Sequence, residues 1–191
     1  MMNGNLESNK NLGGVGAILL VIGCIFPPLA LVGIILLLVA MKGLSEYYND
    51  KDIYRDSLYG VIFGIVGIAV ATIIFAIFFI RMRAGRLINT PISSYMPIRF
   101  IFGIILVLAA IFIFFLLEAI FVRKSFDHLS VKTGNKIFET AGLLLLIGAI
   151  LTIVLVGFII LFAAWIVTAV SLFSIQSTQQ VMPAPSPQPV A

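Results

Sequence analysis

Four long uncharged stretches punctuate the chain, and the polar positions between them set the predicted elements. Residues 12–41, Ser57–Ile80 and Thr140–Ile175 contain no Asp, Glu, Lys or Arg, and Phe100–Val122 contains one acid, Glu118. An apolar run of about 18 residues or more matches a helix that crosses the hydrocarbon layer. The pattern therefore predicts an all-α integral membrane helical bundle of four transmembrane helices. Apolar residues keep helical spacing in the charged connectors, at Leu44, Tyr47 and Tyr48 and again at Val122, Phe126 and Leu129. Helices on both sides of each connector thus extend past the bilayer before turning back.

Two of the apolar runs raise a question of length. Pro27 and Pro28 interrupt the first, where proline removes a backbone donor and clashes with the preceding turn. One tilted helix bent at the Pro pair is the preferred reading. A re-entrant hairpin is the alternative, since half-helices of a dozen residues rise only about 18 Å. The last run would measure about 54 Å as one helix, so it either tilts strongly and protrudes or is interrupted at Gly157. The expected organisation is a polar segment 1–11, a first transmembrane hairpin 12–80 with the Pro27–Pro28 kink, a basic linker 81–99, a second transmembrane hairpin 100–175 and a disordered Pro-rich tail 176–191. The tail's alternating Pro183, Pro185, Pro187 and Pro189 suit a spacer better than a docking peptide. The two connectors resemble each other: Lys42 to Gly60 and Lys124 to Gly142 both span 18 positions. Two tandem hairpins, as a parallel repeat, account for that spacing.

Composition narrows the class. With 61% hydrophobic and 10% charged residues and a mean hydropathy of +1.18, the chain lies far from soluble domains, in which about a quarter of residues are charged. Its net charge of +4 comes from bases dispersed through the connectors, so topology explains it better than an anionic partner, and nucleic acid is not expected. The hairpin turns hold seven Lys and Arg (Lys42, Lys51, Arg55, Arg123, Lys124, Lys132, Lys136) against five on the other face (Lys10, Arg81, Arg83, Arg86, Arg99). Excess cations mark cytoplasmic loops, which leans toward cytoplasmic turns with both termini outside. The single Cys24 permits no intramolecular disulfide, and the single His128 removes multi-histidine metal sites. No cofactor and no metal are expected.

Few residues offer chemistry. Glu118 is the one acid inside an apolar run, and an intramembrane ionisable group is by default a functional hypothesis. The bland alternative is an ion pair with Arg123 or Lys124. Tyr47, Tyr48, Tyr54 and Tyr59 suit interfacial anchoring. Gly13, Gly14, Gly16 and Gly23, then Gly60, Gly64 and Gly67, suit close helix packing, either within the chain or in self-association. The acids Glu46, Asp50, Asp52 and Asp56 read as a solvated turn, with no calcium-loop or paired-carboxylate spacing.

Leu12-Gly13-Gly14-Val15-Gly16, the Pro27-Pro28 break, Lys42-Gly43-Leu44-Ser45-Glu46-Tyr47-Tyr48, Phe121-Val122-Arg123-Lys124-Ser125-Phe126-Asp127, Lys132-Thr133-Gly134 and Phe173-Ser174-Ile175 together resemble a family of small archaeal multi-pass membrane proteins of unknown function. The resemblance covers residues 12–175 and implies an archaeal cell membrane, with no activity or site residues. Some relatives carry a cysteine-rich, zinc-ribbon-like tail. The tail here has no cysteine, so no metal is carried over. The expectation is a non-catalytic multi-pass membrane protein, a scaffold or accessory subunit whose partners are the lipid bilayer and other membrane proteins or copies of itself. The alternative is a small transporter or channel-like protein with its site at Glu118, Pro27 and Pro28. A membrane enzyme ranks third, because nucleophile, base and metal sets are missing.

Overall fold

The computed structural model describes residues 6–87, 96–152 and 156–176. The start of the polar segment, the middle of the basic linker (88–95) and almost all of the Pro-rich tail lie outside the described residues, as do the expectations attached to them. Six helices follow one another: α1 (Leu6–Gly23), α2 (Pro27–Tyr47), α3 (Lys51–Leu87), α4 (Met96–Thr133), α5 (Ile137–Leu151) and α6 (Gly157–Phe173). There is no strand among the described residues. Three helices are long and apolar enough to cross a membrane: Pro28–Tyr47, Lys51–Ile80 and Ile101–Thr133.

The six helices form three antiparallel hairpins, α1–α2, α3–α4 and α5–α6, closed into a ring by contacts of α2 with α3, α4 with α5 and α1 with α6. Glycine determines how closely each hairpin shuts. A Cβ at Gly16 would meet Gly33 O and Leu37 N at 2.9 Å, and one at Gly23 would meet Ala30 Cβ at 2.6 Å. Along α3, Gly60, Gly64 and Gly67 face Val122, Glu118 and Phe114 of α4 in descending order. These stripes are therefore used inside the chain. Small residues let backbones approach where lipid supplies no hydrophobic drive between helices.

The apolar run 12–41 is not the single bent helix preferred from the sequence. The chain reverses over Cys24–Phe26, and α2 starts on the two prolines, which occupy its first two positions. Proline suits a helix start because the amide it lacks has no intrahelical partner there. The last run likewise reverses between Leu151 and Gly157, so its 36 uncharged positions hold two short antiparallel helices. Reversal at both places turns the expected two hairpins into three.

The α2–α3 and α4–α5 turns share one chemical plan. Asn49 (φ 49°) and Gly134 (φ 69°) take the left-handed conformation, which Asn and Gly tolerate best. The next residue then starts the following helix: Asp50 Oδ1 accepts from Asp52 N at 3.1 Å, and Asn135 Oδ1 accepts from Ile137 N at 3.0 Å. The likeness between the connectors thus extends from spacing to turn geometry.

The chain ends differ from expectation. Lys10 Nζ donates to Ile175 O at 3.2 Å, and Asn135 Nδ2 donates to Ser174 Oγ at 2.7 Å. The start of α1 and the end of α6 therefore lie beside the hairpin turns, at the same end of the ring. The buried core gathers near that end as well, around Met41, Leu44, Ile53, Phe126, Leu129, Phe138 and Leu172.

Candidate functional site

Two polar constellations stand out against the apolar ring. The first is interior. A cavity of about 240 Å³ lies at its centre, lined by residues of α1, α2, α3, α4 and α6, among them Gly23, Ala30, Ser57, Phe115, Glu118 and Trp165. Glu118 reaches it because α4 places that position against a glycine: a Cβ on Gly64 would stand 2.8 Å from Glu118 Oε2. Any larger residue at 64 would push the carboxyl group aside. The expected ion pair with Arg123 or Lys124 is not formed. Arg123 Nε lies 3.8 Å from Asp127 Oδ2, and Lys124 Nζ sits 5.3 Å over the Phe121 ring. Glu118 has no hydrogen-bond or ion-pair partner among the described residues.

The Pro27–Pro28 break meets this cavity through its flanks. Gly23, Cys24 and Ala30 contribute to the wall, whereas Pro28 is exposed and the side chain of Pro27 lies outside the described residues. Glu118 thus shares a cavity wall with residues flanking the break, and Pro28 is not among the lining residues. The lining is otherwise apolar apart from Ser57 and Cys24.

The second constellation is at the charged end. Asp50, Asp52 and His128 bring ligand-type atoms within 4.8 Å of one another, a set that unites the first turn with α4. His128 Nε2 also lies 3.8 Å from Asp56 Oδ2, and Asp56 is buried. Cations already balance these acids: Lys132 Nζ is 3.5 Å from Asp50 Oδ2, and Arg55 Nη1 is 2.8 Å from Asp52 Oδ1. The arrangement is an ion network that ties α3 to α4. Beneath it, Ser57 Oγ and Ser125 Oγ are 2.7 Å apart, and Ser125 Oγ donates to Ile53 O at 2.7 Å. His128 was missed as a member of this group, since a lone histidine in sequence carries no sign of which acids face it. The only pointer was the likeness of the connectors, which sets the end of α4 beside the first turn.

Residues 29–166 match the family described as Protein of unknown function (DUF996). An uncharacterized protein of Methanocaldococcus jannaschii is 36% identical over 186 residues, covering 92% of this chain and 96% of the relative. No solved structure matches the chain.

Proposed function

Since the chain belongs to the DUF996 family of proteins of unknown function, we propose that it is a non-catalytic multi-pass membrane protein that binds a small alkylammonium-type cation within its helical ring. The observation that carries the reading is Glu118: a carboxyl group without a partner among the described residues, facing a cavity of about 240 Å³ whose other walls are mostly apolar. A charge held at membrane depth is costly unless something pairs with it. A ligand with a cationic head and an apolar body supplies that partner and fills the remaining wall. The largely apolar lining favours such a molecule over a hydrated inorganic ion.

The test is calorimetric titration of hexylammonium into the protein in lipid nanodiscs, with empty nanodiscs subtracted. Saturable binding by the wild type and its loss in Glu118→Gln is the expected result. Equal binding by both proteins would place the ligand elsewhere or nowhere.

The accessory-subunit reading rests on a separate observation. The far halves of α3 and α4 expose Phe75, Phe79, Phe102 and Leu106. Gentle solubilisation and mass spectrometry of native membranes would reveal a stoichiometric partner on these faces, whereas recovery of this chain alone would remove that reading.

A further inference from the structure

The membrane-embedded part of this protein does not have the same width throughout. All charges of the turns, together with Glu7 and Lys10, lie at one end. From there the uncharged part of α2, Pro27–Met41, rises about 22 Å, and that of α5, Thr140–Leu151, about 18 Å. Although the whole of Pro28–Tyr47 is long enough to span, its part beyond the turn charges and that of α5 both fall short of a hydrocarbon layer of about 30 Å. The uncharged run Ser57–Ile80 of α3 rises about 36 Å and reaches the basic residues Arg81, Arg83 and Arg86.

The tips of the two shorter hairpins are built for hydrocarbon. Ile25 is 84% exposed and Phe26 56% at one tip, and Val156 and Phe158 are exposed at the other, with no charged residue at either. A turn emerging at the far headgroups would be expected to carry polar side chains. Unpaired backbone groups are costly in lipid, and the amides of the first tip bond locally. Cys24 N donates to Val21 O, Phe26 N to Ile22 O and Leu29 N to Phe26 O, and the two positions between Phe26 and Leu29 are prolines with no amide hydrogen to satisfy. At the second tip, Thr152 Oγ1 donates to Gly148 O at 2.8 Å, and Ile159 N to Val156 O at 3.1 Å. Beyond the tips α3 and α4 have only each other. Gly67 is the last buried residue of α3 before Ile80, and no residue of Ile101–Glu118 in α4 is buried.

We propose that the protein is a membrane wedge: both short hairpins are re-entrant, so six helices cross the headgroup plane at the charged end and only two, α3 and α4, reach the opposite headgroups, and the protein favours curved bilayers with its charged end on the convex side. At about 10 Å per helix diameter, four extra helices make the headgroup section of the charged-end leaflet roughly 300 Å² larger than that of the opposite leaflet. That asymmetry is relieved where the charged-end leaflet is stretched. The partner is the lipid bilayer itself, selected by its curvature. The reading is independent of any ligand at Glu118.

The test has two parts, both on the full chain in liposomes. Cys24, the sole cysteine and exposed at the first tip, takes a nitroxide label. Strong relaxation by oxygen and weak relaxation by a water-soluble nickel chelate are expected, as for a site in hydrocarbon. Ready access of the chelate would mean that the hairpin crosses to the far face, and the wedge would be abandoned. Fluorescent protein is then followed between giant vesicles and narrow tubes pulled from them. Enrichment on tubes is expected with the charged end outward and depletion with it inward. A ratio of unity in both orientations would overturn the proposal even if the tips are buried.

Discussion

Glu118 and Ser125 are both polar residues on α4, and the structure assigns them opposite energetic roles. Glu118 has no partner to lose among the described residues. Its replacement by leucine is therefore expected to leave the thermal transition of the purified protein unchanged or higher, since burial of an unpaired polar group costs free energy. A marked drop in a detergent thermal-shift assay would mean that Glu118 holds the ring together. Ser125 is buried and bonded to both Ser57 and the Ile53 carbonyl. Ser125→Ala should cost about 1–3 kcal/mol, because the Ile53 carbonyl oxygen is left with one partner fewer in a dry site. In a double-mutant cycle with Ser57→Ala the two effects should fall short of additive, as they share one bond. Glu118 was legible from sequence because isolation in an apolar run is a one-dimensional property. Its neighbours Gly64 and Trp165, and the company of His128, were not legible, because they depend on the register between helices.

At the scale of the element, the reversals decide the architecture. Pro27 and Pro28 signalled a break, but bend and reversal look alike along the chain. What separates them is the match of Gly16 with Gly33 and of Gly23 with Ala30, which a sequence shows only once the two halves are laid antiparallel. The second reversal had a weaker signal, Gly157, whose Cβ would collide with the Thr152 amide and the Gly148 carbonyl. Two substitutions follow. Gly14→Leu would drive a side chain into the Phe173 ring that already fills that space, and loss of the α1–α6 contact should appear as protease sensitivity near residue 176 in limited digestion. Ile25→Arg should lower stability by roughly 3 kcal/mol if the tip lies near the bilayer centre. A neutral result in denaturation from bilayers would place that tip at a headgroup surface.

At the scale of the whole molecule, moving Lys10 to the end that holds the turns changes the charge tally. That end carries eight Lys and Arg, and the other carries Arg81, Arg83, Arg86 and Arg99. The excess strengthens the expectation that the charged end is cytoplasmic, and on that expectation Lys10 and Ile175 lie on the cytoplasmic side with the turns, whereas the sequence suggested both termini outside. Impermeant amine labelling of intact cells should then spare Lys51 and Lys132 and modify both only after lysis. Modification in intact cells would reverse the orientation. The membrane class was legible because it is a sum over composition, and the connector likeness because it is a spacing. Ring closure was not, because nothing along the chain announces that α1 will meet α6.

That closure sets an order of events during synthesis. The Lys10–Ile175 bond joins the first helix to the last, so the seam cannot form until nearly the whole chain has been made. The α1–α2 hairpin must therefore wait in the bilayer with one flank open while four more helices are added. Contacts so distant in sequence form slowly, and an exposed flank in the interval is an opportunity for mispairing. The glycine-lined face and self-satisfied tip of α1–α2 let that hairpin persist alone, as an early intermediate that stays competent for the partner that arrives last.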